Sequence, residues 1–252
     1  MVFVLGICAA VLGGISLGLL GSGGSILTVP TIHYIFGVEA HAAITSSLLI
    51  VGVTSVVALV PHLRTKRVQI RIGFVFGVSS MVSAYASGRI ARLVAPNVLL
   101  IAFGVMMLIA ALAMLRPRGK EALQTASLAS LVALGLVVGA ITGFVGAGGG
   151  FVIVPALVVL VGLSMPEAIA TSLMVIAMNS FVAFGATVGA VSLDMRVIGA
   201  VLAAAIVGSV VGTVIGGRMP PTKLRRWFGW FVLAMALVIL GAELPRCFPA
   251  EH

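Results

Sequence analysis

Apolar positions in this chain come in long unbroken runs, and the charged positions fall between them. Residues 1–38, 40–63, 93–115, 122–166, 168–193 and 197–217 contain no Asp, Glu, Lys or Arg. A helix needs about 20 such residues to cross the ~30 Å hydrocarbon core of a bilayer. The ten-residue alternation of a membrane strand is missing, so the predicted spans are helices. Three ordinary spans fall at about 43–61, 72–91 and 97–115, and three more at about 167–190, 197–217 and 227–243. Ahead of the first triplet the pattern does not fit one span. A continuous helix over residues 2–37 would be about 54 Å long at 1.5 Å per residue. The segment must break and fold back, and the run GSGGSILTVP at 21–30 marks the break.

The same pattern occurs twice. Residues 21–58 align without gaps to residues 146–183 at a constant offset of 125, with 13 of 38 positions identical. The identities include both G-x-G-G elements, both Val-Pro pairs, and Ser47-Leu48 with Ser172-Leu173. Upstream, Gly14 and Gly18 match Gly139 and Gly143. The fold class expected is an all-α integral membrane protein of two inverted-topology repeats. Each repeat is a Gly-broken helical hairpin plus three transmembrane helices, giving 8–10 membrane segments. The first repeat is placed at residues 1–120 and the second at 121–252, within one membrane domain.

Charge bears on orientation. If both glycine segments are hairpins, loops 62–71, 116–124 and 218–226 share one side and hold 11 of the 15 Lys and Arg residues. If each glycine segment crosses once, the split falls to 9 against 6. Short basic loops mark the cytoplasmic side, which favours hairpins, inverted halves and both termini on the outer face. The net charge of +9 lies in these loop clusters, so lipid is the expected macroscopic partner and nucleic acid is not. Met1-Val2-Phe3 has no basic n-region, so a cleaved leader is not expected. Trp227 and Trp230, beside Arg225-Arg226, read as interface anchors.

The glycine breaks carry the candidate chemistry. Inverted repeats with broken helices near the midplane are the pattern of secondary transporters. A half-helix starting at Ser25 or Gly150 aims its free N–H groups and its positive dipole end at the break, which favours an anion. Glycine there permits positive φ and close approach of a ligand to the backbone. Neither glycine element contains Lys or Arg, so the predicted donors are backbone N–H groups and side chains. The substrate-binding candidates are Gly21, Ser22, Gly23, Gly24, Ser25, Ser46 and Ser47 in the first half. In the second they are Gly146, Gly148, Gly149, Gly150, Thr171, Ser172 and Asn179. Pro30 and Pro155 read as structural helix breaks, and Gly14 and Gly18 as packing glycines at small-xxx-small spacing. Ser164 and Glu167 have capping-box spacing with Pro166 in the first turn. His33, whose repeat mate is Val158, is the candidate for proton coupling; sodium is the alternative coupling ion.

No metal site, cofactor or enzymatic activity is expected. Cys8 and Cys247 lie at opposite ends of the chain, without metal or disulfide spacing. Ser22 with His33 lacks the G-x-S-G of an intramembrane serine hydrolase because position 20 is Leu. Neither glycine run has the form of a nucleotide-binding loop.

The paired G-x-G-G-[SG]-x(3)-V-P elements, each followed about 16 residues later by [ST]-S-L, resemble the TauE/SafE family of membrane transporters, the sulfite exporter group. The resemblance covers nearly the whole chain. It implies a carrier in the bacterial cytoplasmic membrane that exports sulfite or an organosulfonate by alternating access. The family signature falls on Gly21, Gly23, Gly24, Pro30, Ser46 and Ser47, and on Gly146, Gly148, Gly149, Gly150, Pro155, Thr171 and Ser172. Ser22 and Ser25 depart from the fuller glycine run. An anion channel on the same scaffold, or a carrier of thiosulfate or sulfate, is the alternative reading.

Overall fold

Nine helices and two π-turns account for nearly all of the described residues in a computed structural model, which describes residues 2–21, 28–29, 31–91, 96–116, 127–145, 150–190 and 192–247. The helices are α1 (Val2–Leu20), α2 (Ala40–Arg64), α3 (Ile70–Ala91), α4 (Pro96–Leu115), α5 (Leu128–Val145), α6 (Gly150–Pro155), α7 (Met165–Thr187), α8 (Met195–Arg218) and α9 (Pro221–Cys247). No strand occurs among the described residues. Six of the helices are long and apolar enough to cross a membrane by length and composition.

The offset of 125 found in the sequence recurs in the backbone. The π-turns span Thr31–Ile35 and Ala156–Leu160, equivalent positions in the two halves. Each is followed two residues on by a glycine with positive φ, Gly37 at 67° and Gly162 at 85°. Val38 N–H donates to Ile32 C=O, and Leu163 N–H donates to Leu157 C=O, again an equivalent pair. In the second half the widened turn follows Pro155, which has no N–H to continue the regular ladder. From Gly150 to Leu160 the chain rises only about 16 Å, half the hydrocarbon thickness.

Packing joins the halves crosswise. Helix α1 lies along α8, and its repeat mate α5 lies along α3; α2 packs on its own mate α7, and α4 on its mate α9. Small residues make the first two seams. A side chain at Gly14 would strike the backbone of Ala205, and one at Gly18 that of Ser209. In return, Gly208 faces Val11, Gly212 faces Ile15 and Gly216 faces Leu19. The contacts advance together along both chains, so α1 and α8 are parallel. Gly135 against Phe76 and Ser79, then Gly139 against Ser80 and Ser83, make α5 parallel to α3. Lipid tails are as apolar as Leu, so such close backbone approach is a main source of helix association in a bilayer.

The mated helices run antiparallel. Gly52 of α2 meets Ser180 and Phe181 of α7, whereas Gln69, just past the end of α2, bonds Thr171 near the start of α7. Gly104 meets Leu240, and Gly229 meets Leu115, across α4 and α9. The first broken segment returns to the side where it began. Phe36 stacks edge-on against Phe3 at 5.6 Å and crowds Gly6.

These directions bring the α2–α3 loop, the α8–α9 loop and Arg116 at the end of α4 to one face. Arg225 Nη2 donates to the carbonyls of Ala113 at 3.2 Å and Arg116 at 2.7 Å, tying the start of α9 to the end of α4. A small cavity is lined jointly by His62 in the last turn of α2, by Arg67 just after it, by Gly216 and Gly217 at the end of α8, and by Leu224 of α9. The start of α1 and the end of α9 lie toward the opposite face. Trp227 and Trp230 are exposed near the start of α9.

Candidate functional site

Gly21 ends α1. Its N–H donates to Leu17 C=O at 2.7 Å, and its φ of +72° turns the chain out of the helix. The turn rests on the other repeat. Ser172 Oγ shares its proton between Gly21 C=O at 3.2 Å and Ile169 C=O at 2.8 Å, and Ser172 is fully buried. A Cβ at Gly21 would lie 2.8 Å from Ser172 Oγ and 3.0 Å from Ile169 Cγ2. Glycine is required here for both its conformation and its size. The first break of one half is thus seated on the Ser-Leu turn of the other.

Thr171, also fully buried, accepts the Gln69 backbone N–H at 3.1 Å. Gln69 Nε2 donates to Glu167 Oε1 at 3.0 Å. The other carboxylate oxygen of Glu167 accepts from Ser164 N–H at 3.0 Å and Ser164 Oγ–H at 2.6 Å. The start of α7 is therefore both cap and clamp: Glu167 closes its own helix end and holds the α2–α3 loop against it.

In the first half, Ser46 and Ser47 are buried, and Ser47 Oγ donates to Ile44 C=O at 2.7 Å. Ser172 makes the equivalent bond to Ile169. The structure does not bring the two pairs together. Because α2 and α7 are antiparallel with Gly52 beside Ser180 and Phe181, Ser47 and Ser172 are offset by about 20 Å along the shared axis at 1.5 Å per residue. They lie toward opposite faces. Gly21 lies toward the basic-loop face, since α1 runs 19 residues before it and Leu19 sits beside Gly216 near the end of α8.

Between the two pairs lies a polar level that sequence reasoning largely missed. Asn179 Nδ2 donates to Ser80 Oγ at 3.4 Å, and its Oδ1 is buried without a partner among the described residues. Ser55 Oγ is likewise buried and without a partner among them. Ser55 did leave a signal, being identical to Ser180 in the repeat alignment; Ser80 left none.

The remaining candidates divide by location. Gly150 opens α6 and is buried, as is Pro155. His33 Nδ1 donates to Val38 C=O at 2.8 Å beside Tyr34, on the face away from the basic loops. Ser22, Gly23, Gly24, Ser25, Pro30, Gly146, Gly148 and Gly149 lie outside the described residues. Gly14 and Gly18, read as packing glycines, are in the α1–α8 seam.

Long apolar helices in a duplicated, crosswise-packed array define a multi-pass helical membrane protein, with a glycine break of one half docked on the other. Residues 6–239 match the family described as Sulfite exporter TauE/SafE, and the chain belongs to that family. It is similar to a probable membrane transporter protein of Xylella fastidiosa strain Temecula1, 35% identical over 176 residues, or 65% of each chain. The probable membrane transporter protein YunE of Bacillus subtilis is 29% identical over 208 residues, covering 70% of this chain and 73% of that one. A third, the probable membrane transporter protein MJ0441 of Methanocaldococcus jannaschii, is 26% identical over 165 residues, covering 62% and 60%. The matched region spans about 65% of the length of the Xylella relative. No solved structure matches.

Proposed function

We propose that this protein is a secondary transporter that exports a small sulfur-containing anion, sulfite or an organosulfonate, across the bacterial cytoplasmic membrane by alternating access. The observation that carries the reading is the seating of Gly21 on Ser172. A break from one repeat closes against the Ser-Leu turn of the other, at one face of the molecule. By the repeat relation, the 146–149 break would close against Ser47 at the other face. Two equivalent closures at opposite faces are the elements alternating access requires: rocking one repeat against the other opens one as it shuts the other. The antiparallel packing of α2 on α7 and of α4 on α9 favours an inverted repeat.

The anion is held at each break by backbone N–H groups and hydroxyls, Thr171 and Ser172 at one and Ser46 and Ser47 at the other, and passes the Asn179–Ser80 level between them. The absence of Lys and Arg from both glycine elements keeps binding weak enough for release. The basic loops face the cytoplasm, so the inside-negative potential drives the anion outward. The test is efflux of labelled sulfite from proteoliposomes at controlled voltage, comparing wild type with Gly24→Val and Gly149→Val. Sulfite flux that saturates, and that both substitutions abolish in folded protein, supports the reading. Flux untouched by either substitution overturns it, and large unitary currents would replace the carrier with a channel.

A further inference from the structure

We infer that the cavity between His62 and Arg67 is an anion-binding subsite on the basic-loop face, which loads the anion onto the first glycine break. It rests on the reading of the breaks as substrate closures and adds a side-chain site that the glycine motif does not contain.

His62 is only 7% exposed, yet its Nε2 has no hydrogen-bond partner among the described residues. A buried imidazole nitrogen left unpaired is costly and calls for a ligand or water. His62 lines a small cavity, and the half-buried Arg67 lines it as well. The end of α2 holds the two together. Arg67 N–H donates to His62 C=O at 3.1 Å, and Lys66 N–H to Leu63 C=O at 3.1 Å, the paired bonds of a Schellman ending. Lys66 takes the left-handed position, φ 53°, that glycine usually fills. The turn sends the chain back, so that Arg67 lines the cavity together with His62.

The rest of the lining suits an anion. Gly18, Gly216 and Gly217 add no side-chain atoms, and no Asp or Glu is among the described lining residues. The neighbouring Glu167 carboxylate is turned to Ser164 and Gln69. The enclosed depth takes about one water-sized group, such as one oxygen of an oxyanion. The rest of the anion would sit at the mouth, where a guanidinium offers a fork of donors. Pro166 also lines the cavity, which places the positive end of the α7 dipole at its edge.

Two further observations give the subsite a place in the transport path. Ile169 lines the cavity and also packs against Gly21, so this pocket adjoins the first glycine of the break. The pair has no counterpart in the other half, where the equivalent positions are Thr187 and Ser192. The device therefore serves one face, the side from which an exported anion must load.

The test is thermal unfolding of purified wild type, His62→Ala and Arg67→Gln in rising sulfite, joined to half-saturation of sulfite transport in inverted and right-side-out membrane vesicles. Sulfite is expected to raise the Tm of wild type, with the half-effect concentration rising about tenfold in each variant. Half-saturation should rise by a similar factor for loading from the basic-loop face and stay unchanged from the other. Should His62→Ala fail to fold, Arg67→Gln, a change at a half-buried loop side chain, decides alone. Variants that respond like wild type, or half-saturation altered equally from both faces, overturn the subsite. His62-dependent stabilisation in a protein that carries no sulfite upholds the subsite and sinks the transport reading. Sulfite transport with both variants unaffected does the reverse, and a wild type neither stabilised by sulfite nor able to carry it overturns both.

Discussion

Adding one methyl group at Gly21 tests whether the seat of the first break is rigid. Alanine at φ +72° carries the left-handed penalty of about 1 kcal/mol relative to glycine. The new Cβ would also lie 2.8 Å from Ser172 Oγ, 3.0 Å from Ile169 Cγ2 and 3.1 Å from Ile169 Cα. The last of these is backbone of a buried helix and cannot swing aside, so overpacking adds roughly 1–3 kcal/mol. The sum, about 2–4 kcal/mol, corresponds to a Tm loss on the order of 10 °C for a chain of this size. Ser172→Ala alone leaves the Gly21 carbonyl without its buried donor, at a cost of about 1–2 kcal/mol. Combined with Gly21→Ala, it also removes the oxygen that the new methyl strikes. The double variant should therefore lose less than the sum of the singles, by about 1 kcal/mol or roughly 3 °C. Thermal unfolding of the four proteins in one detergent completes the cycle. A wild-type Tm for Gly21→Ala, or strictly additive losses, would refute the proposed seat.

Three other outcomes follow from the packing. Gly212→Val should prevent stable assembly because a side chain there meets the Ile15 backbone, whereas Gly199→Ala, inside the same helix with open space around it, should be neutral or raise Tm by a few degrees through helix propensity; gel filtration and thermal unfolding separate them. Lys66→Gly should raise Tm by roughly 1–3 °C by relieving the left-handed strain, which is worth about 1 kcal/mol, and an unchanged or lower Tm would show that the turn is not strained. Cysteines at Thr65 and Ser192 should react with an impermeant thiol reagent from opposite sides of sealed vesicles, and labelling from the same side would overturn the assigned helix directions.

Much of the architecture was legible along the chain. The spans predicted at 43–61, 72–91 and 197–217 fall within α2, α3 and α8, because a bilayer admits little besides helices of that length. The equivalence of Gly37 with Gly162, and of the two π-turns, was implicit in the repeat alignment. The capping pair Ser164 and Glu167 was also read correctly, since a cap is a local event. Its further bond to Gln69 could not be read, because the partner is 98 residues away.

The sequence by itself determined that this is a duplicated helical membrane protein with a glycine-rich element in each half. Those features follow from chain length against bilayer thickness, from glycine's conformational freedom and from an alignment of the chain with itself. Only the tertiary structure decided that α1 lies along α8 rather than along its own repeat, that Gly21 meets Ser172, that Ser47 lies about 20 Å from Ser172 along the helix axis, and that His62 shares a cavity with Gly216, Gly217 and Leu224. These depend on which small-residue seams fit one another across more than 100 residues of sequence, and steric complementarity between distant surfaces has no period or local propensity by which it could be read from the chain.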